Sequence, residues 1–367
     1  PSHVIHVKGP RHSDGLADFF TQSHYGTAMA VRHGYGLYIE WQGMNVLDIV
    51  VPVPAPGWGF NWTDDRLLRR CTGAEGKCSV IDPLQTMIMH WSQGGRVAFD
   101  KRRKEADAAI AAKQFLALLP IRKAYSSFIE VALSYPMAPQ FVGACVLGSL
   151  FAPSPHLGVA VPEFPGLRRR ITDPRTLAIA IYVRTYDSEE AQALDDGELD
   201  ARRLPPRERW TPSERYNYAA TARCALQLEA RHAAGFDRVV WFVASDRPTL
   251  KKQFVDEFDA SAAGGRAVLT TSARGRHPSH SYWAAARLSD QLKAQKKAEH
   301  ERALFEAVAD WWLLGEVDLA VMGYYNAEDS ESFAYTAMQR TARARSVFSV
   351  RPCLEGRGRG CVPPEPR

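Results

Sequence analysis

Short continuous apolar runs alternate with longer amphipathic stretches along this chain. The clearest run is Leu177–Val183 (LAIAIYV), unbroken by any polar residue, with Arg184 directly after it and Asp187 three positions further on. A short β-rich run bounded by charge predicts a strand buried on both faces of a parallel sheet. Further strands are predicted over Arg238–Ala244, Ala267–Thr271 and Asp318–Met322. Helices are predicted over Ser213–Gly235, Pro248–Phe258, Ser281–Gly315 and Glu331–Thr341. This alternation of strand and helix predicts an α/β fold with a doubly wound parallel sheet.

The N-terminal part opens with a predicted strand, Val4–Lys8, and a turn-rich loop, Gly9–Asp18. An amphipathic helix, Phe19–His33, closes at Gly34, and Gly36–Trp41 reads as a second strand. A loop at the start of a helix favours anions, because free backbone amides and the helix dipole both face it. Asn45–Pro56 is apolar and punctuated by proline, while Pro83–Trp91 and Asp107–Leu119 read as helical pieces. Tyr135–Pro165 is rich in proline and glycine and predicts a linker. The 367 residues suffice for two domains, expected over residues 1–165 and 166–367. Asp187–Thr211 is a long loop containing Pro205-Pro206, and loops of that length are commonly functional.

Composition narrows the class without naming a chemistry. A net charge of +5 is too small to diagnose a nucleic-acid partner. The clusters Lys101–Lys104 and Arg168–Arg170 lack the interleaved aromatics of a single-strand binding groove and read as solvated faces. No apolar run is long enough to span a membrane. The sequence begins at Pro1 without a hydrophobic leader, so a removed N-terminal anchor or signal is the expected membrane connection. Cys71 and Cys78 flank one short loop and Cys353 and Cys361 another; neither pair has zinc-ligand spacing. Short disulfide-closed loops and the sequon at Asn61 predict an oxidising, glycosylating compartment.

Several charged or hydroxylic loops share one placement, at the ends of predicted parallel strands, where open α/β sheets bind ligands. Arg184 can meet a phosphate in bidentate fashion, or pair with Asp187 in its own loop. Asp246 can accept from ribose hydroxyls or base nitrogens, or cap the following helix. Ser330 and Ser332 can cradle phosphate oxygens at a helix start, or cap that helix. Gly15 and Asp18 lie in the first glycine loop, and His277 and His280 before the long helix, where they line an acceptor or simply form a turn. Tyr216, Trp283, Trp311 and Trp312 read as core at helical spacing.

Three stretches resemble the GDP-fucose-dependent fucosyltransferase superfamily, with its α1,6-, protein O- and xyloglucan branches. DGLADFFTQSHYGTAMAVRHGYGLYIEW is similar to that group's glycine loop, helix and strand. IAIYVRTYD is similar to its (I/V)-H-(I/V)-R-R-x-D segment. WFVASDRP and the later AVADWWLLGEVDLAVMGYYNAEDSESFAYTAM resemble its ASD strand end, its D-x-x-x-L-(S/A) helix with Asp310, and its closing S-x-F helix with Ser332 and Phe333. Tyr182 stands where the family has histidine, and Thr185 where it has a second arginine, so phosphate binding at Arg184 is the firmer implication and the sugar the open one.

The resemblance implies a GT-B architecture of two Rossmann-like domains facing across a cleft, donor on the C-terminal side and acceptor on the N-terminal side. It implies an inverting transfer of a sugar, fucose from GDP-fucose, to a hydroxyl of a glycan or glycoprotein, with no metal and no cofactor beyond the donor. Arg184 and Asp187 take the positions of the family's phosphate arginine and following aspartate, and Glu189 or Glu190 would be the general base, with Asp195, Asp196, Asp14 and Asp18 as alternatives. The implied location is the secretory lumen, Golgi or endoplasmic reticulum. A different nucleotide sugar, and a non-catalytic sugar- or nucleotide-binding relative, remain open.

Overall fold

The structure is a computed structural model. It describes residues 3–9, 16, 19, 20, 23, 26, 27, 30, 36–41, 45–52, 62, 63, 66, 69, 79–81, 147, 148, 150–184, 212–273, 290–324, 331–341 and 347–349. The chain divides into two compact units, Pro1–Ala152 and Pro153–Arg367, a division earlier than the sequence boundary at 165.

In the first unit β1 (His3–Gly9) lies between β2 (Gly36–Trp41) and β4 (Ser79–Ile81), all parallel. Leu16, Phe19, Phe20, Ser23, Gly26, Thr27 and Ala30 are helical and buried at three- and four-residue spacing, the stripe an amphipathic helix turns to a core. Leu16 is already helical, ahead of the expected start at Phe19. Phe19 packs edge-on against Trp41, and Phe20 and Trp62 against Phe151, which lies in β5 (Phe151–Pro153), paired with β3 (Val50–Pro52). The predicted helices at 83–91 and 107–119 fall outside the described residues.

The expected linker contains ordered structure at its C-terminal end. Ser154 caps α1 (Pro155–Ala160), its hydroxyl accepting from the His156 amide at 3.2 Å, and α2 (Phe164–Ile171) follows with Pro165 in its first turn. These prolines start helices because a first-turn residue has no intrahelical use for its missing N–H. Proline content alone read them as a linker.

The second unit is built on β6 (Thr176–Arg184), β7 (Arg238–Ser245), β8 (Ala267–Thr270), β9 (Leu319–Tyr324) and β10 (Val347–Ser349). They pair throughout in parallel, in the order β10-β9-β6-β7-β8. Strand β10 was not predicted; three residues are too few for a periodic signal. Helices α3 (Pro212–His232), α4 (Pro248–Phe258), α5 (Asp290–Glu316) and α6 (Glu331–Arg340) connect them. Gly235 follows α3 with φ 98°, a left-handed turn that favours glycine.

Every residue of Leu177–Val183 is buried. Leu177, Ile179, Ile181 and Val183 join a core with Ala222, Ala225 and Leu228 of α3 and Leu250 and Phe254 of α4. Each such side chain contributes about 1.5–3 kcal/mol when fully buried, which makes β6 the main anchor of the unit. At the opposite edge Arg266 lies 4.1 Å over the Trp241 ring and pairs with Glu229 through two nitrogens. Cys224 of α3 is disulfide-bonded, with its partner outside the described residues. No helix among the described residues is long and apolar enough to cross a membrane.

Helices α5 and α6 touch through a glycine. Arg340 is buried with its guanidinium 4.1 Å over Trp312, and it donates to the Trp312 carbonyl at 2.9 Å. Glu316 accepts from Arg168 at 3.3 Å and from the Trp312 indole at 3.1 Å, and lies 3.5 Å from Arg340. A Cβ on Gly315 would meet the Ala337 carbonyl oxygen at 2.5 Å and the Arg340 guanidinium at 2.6 Å. We predict that Gly315→Ala destabilises the protein by about 1–3 kcal/mol, the usual cost of overpacking, read as a lowered urea midpoint. An unchanged midpoint would refute this close approach.

Candidate functional site

Read from β8, the second sheet runs third-second-first-fourth-fifth in chain order, the doubly wound arrangement whose switch point lies between the first and fourth strands. Here that point lies between β6 and β9. Arg184 is the last residue of β6 and pairs with Tyr324, the last of β9, so its backbone sits at the carboxyl edge of the switch point. Sequence reading placed Arg184 as the first loop residue; the sheet extends one residue further and holds its backbone in the ladder. Val183 pairs with Gly323, where any Cβ would strike the Thr221 hydroxyl, so glycine lets α3 approach the strand ends closely.

Two residues before Arg184, Tyr182 stacks on Phe333, with centroids 5.4 Å apart and rings inclined by 20°. Phe333 is in the first turn of α6, so this contact brings the start of α6 to the end of β6. A helix start beside a strand end is an anion-favouring place, since its first amides have no helical partner. Ser332 belongs to the same turn by its backbone placement. Tyr182 thus has a packing role, which no single-residue pattern reveals.

Ser245 ends β7, and Asp246 follows, half-buried. The N-cap of α4 is Arg247, and its amide donates to the Ser245 hydroxyl at 3.2 Å. The alternative in which Asp246 caps α4 is therefore corrected: the helix starts one residue later, with proline at its first position.

Asp310 of α5 reaches the carboxyl end of β8. It is buried and accepts from the Thr271 hydroxyl at 2.6 Å. Burial raises its pKa to about 6, against the charge of Lys251 and the Thr271 bond; Glu306 and Glu163 add to the rise. Glu163 accepts from both the Ser272 amide and hydroxyl at 2.7 Å. Burial works to raise its carboxyl, but the Ser272 bonds and the charge of Lys251 hold it below the usual range. Lys251, Thr271 and Glu163 were not singled out from sequence; each is an ordinary polar residue in a helix or strand end, and only the packing of α2, α4 and α5 gathers them.

The second sheet thus brings Arg184, Asp246, Asp310 and Phe333 to strand ends or the helix starts beside them. Asp187, Glu189, Glu190, Gly15, Asp18, His277, His280, Ser330, Asn61 and the remaining general-base alternatives lie outside the described residues. So do Cys71, Cys78, Cys353 and Cys361.

The raised Asp310 pKa fixes a sign for the pH dependence of stability. Between the unfolded carboxyl value, about 4, and the folded value, the native state keeps a proton that the unfolded chain releases. Stability from this group is therefore full below that window and lost as pH rises through it. Relative to Asp310→Asn, the native protein should lose about 2 kcal/mol between pH 4 and pH 7.5. Carboxylates with lowered values, such as Glu163 and Asp259, act oppositely but cancel in the comparison. Urea unfolding of both proteins across that range checks the sign; a pH-independent difference would remove Asp310 as a buried titrating group.

No family model and no curated protein matches this sequence. Among solved structures, the chain is similar to NodZ α-1,6-fucosyltransferase co-crystallized with GDP, at 12% identity and a TM-score of 0.46 over 95% of each chain. It is also similar to fucosyltransferase NodZ from Bradyrhizobium, at 11% identity and a TM-score of 0.47 over 99% of each chain. At those scores the likeness fixes nothing about the site, whose reading stands on the residues above.

Proposed function

We propose that this chain is a glycosyltransferase of GT-B architecture, with a second Rossmann-like domain in its N-terminal part. It transfers a sugar, fucose from GDP-fucose, to a hydroxyl of a glycan or glycoprotein in the secretory lumen. The observation that carries this reading is the placement of Arg184 at the carboxyl edge of the switch point, beside the start of α6.

The transfer forms a bond from the acceptor oxygen to the anomeric carbon as the bond from that carbon to the diphosphate breaks. The electron pair leaves on the diphosphate, and the acceptor proton passes to a carboxylate, Glu189 or Glu190 in this reading. Negative charge therefore builds where Arg184 and the first amides of α6 can meet it, and fixed donors of this kind commonly supply the largest catalytic effect. Asp246 and Asp310 are the acceptors for ribose hydroxyls and base N–H groups. The disulfide at Cys224 and the sequon at Asn61 support a lumenal location.

A second reading, the same chemistry with another nucleotide sugar, is favoured by the Tyr182–Phe333 stack, which occupies the family's histidine position. Thermal shift with GDP, UDP and ADP, each with and without EDTA, separates the two. Stabilisation by GDP alone, insensitive to EDTA, supports the first reading, and stabilisation by UDP or ADP the second. Binding without any transfer would make the chain a non-catalytic relative, and no shift with any nucleotide would overturn the proposal. Arg184→Ala should stay folded and lose at least about a hundredfold in turnover. Near-normal turnover in that variant would exclude Arg184 from the site.

A further inference from the structure

The residues leaving β8 are held by side chains from three separate elements, and the proposed chemistry uses only one of them. Lys251 of α4, 3% exposed, donates to the Thr271 carbonyl at 3.1 Å and the Ala273 carbonyl at 2.5 Å. Asp310 of α5 takes the Thr271 hydroxyl at 2.6 Å, and Glu163 at the start of α2 takes both the amide and hydroxyl of Ser272 at 2.7 Å. Burying an ammonium is costly unless its protons and charge are both used. Here two carbonyls take two of its three protons, and the charge acts on Asp310 and Glu163. Glu306 of α5 also bears on Asp310 and is itself paired with Arg302 at 3.0 Å. Three elements distant in sequence thus converge on residues 271–273, directly beyond the carboxyl end of β8.

We propose that Lys251 is a positioning residue of the nucleotide site: it fixes the strand exit Thr271–Ala273 and, through the Thr271 hydroxyl, the orientation of Asp310. This rests on the nucleotide-sugar reading above. Lys251 touches no reacting atom; it acts on the carboxylate that does the recognising. Removing its charge leaves Asp310 among Glu306 and Glu163 without the opposing cation, so Asp310 holds its proton to higher pH and binds N–H donors less well at neutral pH.

The test is calorimetric measurement of GDP affinity from pH 5.5 to 8 for the native protein, Lys251→Met, Asp310→Asn and the double variant. Hydrogen exchange at the Ser272 amide is followed in parallel without ligand. Lys251→Met is expected to keep its far-UV circular dichroism, to bind GDP at least about tenfold more weakly at neutral pH, and to shift the pH midpoint of binding upward. In the Asp310→Asn background the same change should cost less than about threefold, since coupled residues are not additive. Ser272 exchange should rise. An additive cycle or an unmoved pH midpoint overturns the proposal. If Lys251→Met does not fold, Lys251→Gln, which keeps a donor but no charge, takes its place with the same expectations. If the native protein binds no GDP, the nucleotide reading fails by itself, and Ser272 exchange still decides whether Lys251 holds the strand exit: unchanged exchange overturns that too.

Discussion

The second unit depends on the burial of β6 between two parallel neighbours. A strand hydrogen-bonded on both sides and covered on both faces must be apolar along its length, and Leu177–Val183 is. Its two neighbours are β7, next in sequence, and β9, which returns only after α4, β8 and α5. In open α/β sheets, such a reversal of strand order is where ligands generally bind, beyond the carboxyl ends. The first charged residue after the apolar run, Arg184, is the one that the sheet carries to the carboxyl edge of the switch point.

Two kinds of buried charge surround this sheet, with different consequences. At the α5–α6 contact, Arg340 and Glu316 are satisfied by indole faces, a backbone carbonyl and each other, and their work is to hold helices together at Gly315. At the carboxyl end of β8, Asp310 accepts from the Thr271 hydroxyl and its charge is disfavoured by burial. A buried group left on the edge of ionisation suits recognition, whereas an ion pair packed between helices suits packing. The position in the sheet separates the two: β8 ends at the carboxyl edge, where open α/β sheets generally bind ligands.

The elements with long, unbroken patterns were legible in the sequence. Strands β6 and β7 and helices α3 and α4 read within a few residues, because an apolar run or an amphipathic repeat repeats its signal along the element. Three-residue strands such as β10 carry no such signal, and the prolines of α1 and α2 read as linker because proline both breaks and starts helices. Of the candidate site, Arg184 and Asp246 were visible as charges beside apolar runs, and Asp310 only through the helix motif it resembles. Lys251, Thr271 and Glu163 were not, since they are far apart in sequence and ordinary in their local surroundings.

By itself, the sequence determined the kind of fold and where charge meets the end of a buried strand, because both follow from local patterns of apolar and polar residues. Only the tertiary structure decided the strand order, and with it which strand ends border the switch point. It also decided that Tyr182 is spent on Phe333 and that Asp310 is buried with Lys251 beside it. Those outcomes depend on which distant segments pack together, and burial, which sets the cost of a charge, is a property of that packing alone.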